Sequence, residues 1–356
     1  MTKKVKIFEE MKKNGIKQMI VSDKMSIFYL IGRKIESEER LLALYLNTNG
    51  DCKLIVNKLF PQEPDPEFEL VWYDDDHDGV EVLSRYVDKN EKIGIDKNWP
   101  SGFLIRLNEL LGNVEFINSS FIVDKTRLIK DEQEQNLMRE SSRLNDIAME
   151  RIIPWVSKGL NEIELTTKVI EIYKELGCED VSFEPVIAFG KNAADPHHEA
   201  DETVGKEGDC VVIDIGGLKD NYASDMTRTI FIGEPSEFSK EIYNIVKEAN
   251  LRGIAAAKPG ARMCDVDYAA RSYIESKGYG QYFTHRTGHS IGLQDHEPGD
   301  VSATNTEIIK VGQCFSVEPG IYIPEKNIGV RVEDLVLITE DGCEVLNKYP
   351  KDLTII

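Results

Sequence analysis

The 356-residue sequence predicts an α/β layer over residues 1–122 followed by a larger α+β domain over 123–356. A chain of this length exceeds what one hydrophobic core usually organises, so two domains are expected. The first third alternates short helical and strand patterns, the signature of an α/β layer. The remainder delivers helices and strands in blocks, and several of its apolar strands carry a carboxylate near one end.

In order, the first domain reads as a helix over 5–13, strands over 17–22, 41–47, 52–57 and 69–73, a helix over 80–87, a strand over 93–96, a helix over 102–111 and a strand over 114–117. Within it, Asp74, Asp76, Asp78 and Gly79 match the opening of a calcium-binding loop. The twelfth position is Arg85, where a bidentate glutamate is required, so the stretch reads as a solvated turn with an N-cap and His77 as a surface histidine. Residues 130–150 are charged and strongly helix-forming, a connecting helix that opens the second domain. Further helices are expected over 162–176, 239–256 and 266–276, and strands over 183–189, 313–322 and 329–338. A helix, helix, strand-hairpin order occurs twice.

The formal net charge of −20 disfavours nucleic acid as a partner. No apolar run reaches the roughly 20 residues of a membrane span, and the N-terminus alternates charge with apolar residues where a signal peptide would build a core. The six cysteines are scattered without a C-x-x-C pair, which fits a reducing cytoplasm.

The second domain is organised around residues 210–232, CVVIDIGGLKDNYASDMTRTIFI. An apolar run pushes out Asp214, two glycines break the strand, and a second strand returns with Asp225 near its start. Strands disfavour aspartate, and burying either charge alone would be costly, so the pair requires a shared compensating charge such as a divalent metal. Three further residues stand in places that an ordinary ion pair explains less well together than singly. His289 lies between Gly288 and Ser290-Ile291-Gly292, Glu318 ends an apolar strand before Pro319-Gly320, and Glu333 sits inside another strand, two residues after Arg331. Asp214, Asp225, His289, Glu318 and Glu333 bring four carboxylates and one imidazole. Two divalent cations balance four negative charges, and oxygen-rich coordination suits Mn²⁺ first, with Co²⁺, Fe²⁺ or Zn²⁺ as alternatives. Two such ions about 3.5–4 Å apart can share a hydroxide that is nucleophilic near neutral pH, which implies hydrolysis.

At these residues the sequence resembles the pita-bread metallopeptidases, in the branch of Xaa-Pro dipeptidase (prolidase) and Xaa-Pro aminopeptidase. The resemblance runs through PHHE (196–199), DIGG (214–217), SDMTRT (224–229), HRTGHSIGL (285–293), HE (296–297), EPGIY (318–322) and GVRVEDLVLIT (329–339) in that order. The first domain looks like the creatinase-type layer of that branch. The resemblance implies that Asp214 binds one metal, Asp225 and Glu333 bridge or bind both, and His289 with Glu318 complete the other. It further implies that His197 and His296 act on the substrate, that His285 lines the same pocket, and that Arg331 and Tyr322 hold Asp214. His198 reads as an exposed neighbour of His197. One departure, Gly299-Asp300 where the family often has apolar residues, touches the shape of the pocket wall.

The activity implied is cleavage of the bond between an N-terminal residue and proline, a tertiary amide without the N–H that general peptidases use. The implied partner is a proline-containing di- or oligopeptide, and the implied assembly a homodimer. In the family the N-terminal layer, often from the partner subunit, closes the pocket beyond the proline, which favours short substrates. A methionine aminopeptidase shares the five ligands but ordinarily lacks the first domain. A non-catalytic binding protein or a metal-free, creatine-hydrolase-like enzyme on the same fold is at odds with the intact ligands and with His197 and His296.

Overall fold

The computed structural model describes residues 3–112 and 114–356. The chain divides into two compact units, Met1–Arg127 and Leu128–Ile356.

The first unit is built on a six-stranded sheet in the order Glu69–Tyr73, Cys52–Asn57, Ala43–Asn47, Gln18–Val21, Ile93–Ile95, Phe116–Asn118. Its central strand, Gln18–Val21, is buried at all four positions and pairs antiparallel with 43–47 and parallel with 93–95. Burial on both faces explains the apolar run over 19–21 that follows the buried Gln18. Two helices that the periodicity did not reveal are present, Lys24–Ile31 and Ser120–Leu128. The first reads KMSIFYLI, apolar all round and so without a helical stripe, and its ends carry the signal. Asp23 caps it by accepting from the Ser26 N–H, and Gly32 closes it at a φ of 71°. Asp78 likewise caps Gly79–Ser84 through the N–H groups of Val80 and Glu81.

In the second unit, helices Glu132–Val156 and Glu162–Glu175 each begin with a capping box, Asp131/Glu134 and Asn161/Glu164. Their apolar faces, including Ile152, Leu165 and Val169, pack with Val211, Ile213 and Met226 of a four-stranded sheet. A second pair of helices, Glu237–Ala256 and Met263–Ser276, accompanies a five-stranded sheet, with Met263 and Val266 packed among Phe315, Val317 and Val336.

Two features of these sheets position the charged residues. Strand Cys210–Ile215 pairs antiparallel with Met226–Phe231, setting Asp214 opposite Thr227 and leaving Asp225 just before the returning strand. The turn between them puts Asp220 and Asn221 at φ of 49° and 68°, the type I′ geometry that matches strand twist. The second feature corrects the sequence reading. The expected strands 313–322 and 329–338 are each broken, into Cys314–Val317 and Gly320–Ile323, and into Ile328–Arg331 and Asp334–Thr339. Glu333 therefore lies in a break and not within a strand. Pro319 lacks the N–H needed to continue a ladder, and the breaks face each other, since Val317 pairs with Asp334 and Gly320 with Arg331. The freed N–H of Glu318 turns to Thr287 O at 2.8 Å and that of Glu333 to Thr227 O at 3.1 Å.

Among the described residues no helix is long and apolar enough to cross a membrane.

Candidate metal centre

The hairpin and the paired breaks deliver Asp214, Asp225, His289, Glu318 and Glu333 to one cavity of about 810 Å³. His289 Nε2 stands 3.5 Å from Asp225 Oδ2 and 3.4 Å from Glu318 Oε1. Ligand atoms of Asp225, His289 and Glu333 all lie within 4.8 Å of one another. His289 can sit this deep because of Gly288, where a Cβ would fall 1.9 Å from Ser316 O.

The electrostatics fit a bound cation. Asp214 Oδ1, Asp225 Oδ1 and Glu333 Oε1 are buried oxygens without a hydrogen-bond partner, and the Asp225 and Glu333 residues are only 4% and 1% exposed. Orphaned carboxylate oxygens in the interior are costly unless a positive charge meets them. Burial, reinforced by the other carboxylates, pushes Asp225 and Glu333 well above the usual range, and burial raises Glu318 to about 8. A divalent cation is what lets such groups ionise together. Burial, with His296 and Arg286 nearby, pushes His289 well below its ordinary value, the neutral state a metal ligand needs.

The same residues are held by a hydrogen-bonded frame. Arg331 gives Nη2 to Asp214 Oδ2 at 2.5 Å, Nε to Thr227 Oγ1 at 3.0 Å and Nη1 to the Tyr322 hydroxyl at 2.9 Å. Tyr322 thus supports Asp214 through Arg331. Thr227 Oγ1 donates to Glu333 Oε2 at 2.7 Å. Ser316 Oγ accepts from the His289 N–H at 3.0 Å and donates to Glu318 Oε1 at 3.1 Å, so one hydroxyl orients two of the five. Arg228, 2% exposed, bonds the Glu333 carbonyl and Asp334 Oδ1, and Lys351 reaches the other oxygen of Asp334. Thr227, Ser316 and the Arg228–Asp334–Lys351 cluster were not singled out from sequence. The visible signal was an arginine and an aspartate inside apolar strands, which burial obliges to pair.

Residues 136–340 match the model of metallopeptidase family M24, and residues 5–129 match the creatinase/prolidase N-terminal domain. The chain belongs to metallopeptidase family M24. An uncharacterized peptidase of Staphylococcus aureus (strain USA300) is 35% identical over 99% of this chain and 100% of the relative. Among solved structures, the prolidase of Pyrococcus horikoshii OT3 superimposes with a TM-score of 0.90 at 32% identity, covering 99% of both chains. An Xaa-Pro dipeptidase of Bacillus anthracis gives 0.91 at 32%, again covering 99% of both. An X-Pro aminopeptidase of Thermotoga maritima gives 0.83 at 30%, over 98% of this chain and all of the other. The architecture is accordingly a creatinase-type domain followed by the pita-bread domain.

In this M24 peptidase the histidines on the cavity wall differ in kind. His197 is exposed on the loop after strand Val186–Phe189. His296 is exposed too, its ring 3.9 Å from that of His289. Its Nδ1 lies 3.3 Å from Arg286 Nη2, a pure donor, so Nε2 carries the proton. His285 has both nitrogens engaged: Nδ1 donates to the Arg286 carbonyl at 2.7 Å and Nε2 accepts from Tyr322 at 3.0 Å. Burial, then the charge of Arg331, lowers it to about 4, so the ring is neutral and turned toward its support.

His198 corrects the sequence reading. It is half-buried, not an exposed neighbour, and its Nε2 donates to Glu162 Oε2 at 2.7 Å. Glu162 is fully buried and also accepts from the N–H groups of Phe189 and Asp201 and from the Asn192 amide. One carboxylate therefore gathers both ends of the loop that bears His197.

Proposed function

We propose that the chain hydrolyses the peptide bond between an N-terminal residue and proline, with two divalent cations held by Asp214, Asp225, His289, Glu318 and Glu333. The observation that carries this reading is the convergence of five donors, three of them with orphaned buried oxygens, on a cavity that His197 and His296 also line. Prolidase and Xaa-Pro dipeptidase structures among the chain's neighbours support it. Bound cations supply Lewis acidity and lower the pKa of attacking water.

The chain's own residues do the rest. Arg331 fixes one oxygen of Asp214 and leaves the other for a cation. Ser316 and Thr227 set the rotamers of Glu318 and Glu333. His197 and His296 are the imidazoles placed to donate to the carbonyl oxygen as it gains charge, and to hand a proton to the departing proline nitrogen, which cannot leave without one. His285 keeps Tyr322 and Arg331 in place. The exposed apolar side chains Ile163 and Ile170 also line the cavity and suit an apolar substrate residue.

Mn²⁺ is the proposed cation, a cytoplasmic homodimer the proposed form, and a dipeptide the proposed substrate. Metal-free and Mn²⁺-loaded protein are incubated with Ala-Pro, Ala-Pro-Ala and Ala-Ala, and products are identified by mass. Release of alanine from the proline peptides alone, only with metal, is expected. Cleavage of Ala-Ala at an equal kcat/KM refutes proline specificity, and a clear preference for Ala-Pro-Ala refutes the dipeptidase reading while leaving the peptidase intact.

A further inference from the structure

Four carboxylate oxygens in the cavity share one signature, burial without a hydrogen-bond partner. Three belong to Asp214, Asp225 and Glu333, and the fourth is Asp295 Oδ1. Asp295 lies outside the five-residue set, yet its side chain is only 18% exposed and its Oδ2 is 3.4 Å from His296 Nε2. Ligand atoms of Asp295, His289 and His296 fall within 4.8 Å of one another. His289 is common to this group and to the group it forms with Asp225 and Glu333. The latter two point orphaned oxygens into the same space, from side chains more than nine-tenths buried.

Charge argues the same way. Counting four carboxylates against two divalent cations neglects Arg331, whose guanidinium already meets Asp214. Once that pair is set aside, three carboxylates face four positive charges. Alongside the shared hydroxide, a fifth carboxylate would add negative charge there, and Asp295 is the partly buried acid whose ligand atom lies within 4.8 Å of His289.

We propose that Asp295 is a sixth protein ligand of the metal centre, supplying a hard oxygen donor on the side of His289 and His296. The inference rests on the two-metal reading above.

The test measures metal directly, without peptide hydrolysis. Full-length protein is freed of metal by chelation and titrated with Mn²⁺, free ion being followed by electron paramagnetic resonance and stoichiometry by elemental analysis. Wild type is expected to take up two ions per chain. In Asp295→Asn the weaker-bound ion should lose about 10-fold or more in affinity, the scale seen when groups around a metal are altered. Asp295→Ala should lose at least as much, and Asp295→Glu should recover part of it. Thermal melts of the metal-free proteins separate this from misfolding: neutralising a partly buried carboxylate, one oxygen of which has no hydrogen-bond partner, should leave the Asn variant at least as stable as wild type. Affinities in both the Asn and Ala variants within twofold of wild type overturn the proposal even if turnover falls, because Asp295 would then act only on the His296 ring. Wild-type uptake of fewer than two ions would instead sink the two-metal reading itself.

Discussion

Asp225 and His197 line the same cavity, but they are held in opposite ways. Asp225 stands at the start of a core strand, 4% exposed, and meets neighbours drawn from other strand ends. His197 is exposed on a loop whose two ends are gathered by a single buried carboxylate, Glu162. Under the proposed function the contrast separates two tasks. Holding cations requires several charges fixed in a dry interior, which only core strands provide, whereas acting on a substrate requires a group that solvent and peptide can reach. Damage on the first side should appear as lost metal, and damage on the second as lost turnover with metal retained.

The largest effect is expected on the metal side. Asp225→Asn keeps the shape and removes a charge shared among the buried donors. It should bind fewer Mn²⁺ ions than wild type and lose roughly 10³-fold in kcat/KM, the loss of several kcal/mol of transition-state stabilisation. Elemental analysis and Ala-Pro kinetics measure both, and wild-type metal content with wild-type turnover would dissolve the distinction drawn here.

Next comes the substrate side. His296→Ala should keep its metal and lose roughly 10²-fold or more in kcat, the usual contribution of a positioned proton donor. Loss of metal in this variant would move His296 among the ligands.

How much of this was legible beforehand follows the same division. That Asp214, Asp225, His289, Glu318 and Glu333 would meet at one cavity could be suspected because each breaks a local rule of the sequence pattern: an acid in an apolar strand pattern, or a histidine between glycines where the backbone must approach closely. The break that carries Glu333 was not readable, since VRVEDLVLIT alternates as one strand and only Pro319, on the partner, stops the ladder. Glu162 was hidden for another reason. At the first turn of a helix a glutamate looks like a favourable charge at the dipole, and nothing local shows that its partners are Phe189, Asn192, His198 and Asp201. Asp295 was hidden beside His296 and Glu297, where an acidic residue in a loop looks solvated.

Glu162 sharpens the comparison further. Glu162→Gln replaces one acceptor by an amide that cannot accept from His198 and Asp201, so the His197 loop should loosen while the metal residues are untouched. A fall of about 10-fold in kcat/KM with full metal content is expected, because small misplacements of an acting group are expensive. A change in metal content, or unchanged kinetics, would show that the loop is held by other means.

The smallest effect is the most direct reading of the frame behind the proposed metal residues. His285 is held neutral, at about 4 against an ordinary 6.5, by burial and by Arg331, with Arg271 and His197 adding in the same sense and Tyr322 and the Arg286 carbonyl occupying its nitrogens. Between these two values the unfolded chain binds a proton that the folded chain does not. This contribution to stability is therefore complete above about 6.5 and declines as the pH falls toward 4. His285→Gln can still donate to Arg286 O and accept from Tyr322 but does not titrate. In metal-free protein the difference in Tm between wild type and the variant should change with pH across that window and stay constant above it. Parallel curves throughout would mean that His285 binds protons alike in the native and unfolded states, and that the chain from Arg286 through His285 and Tyr322 to Arg331 does not hold it neutral as described here.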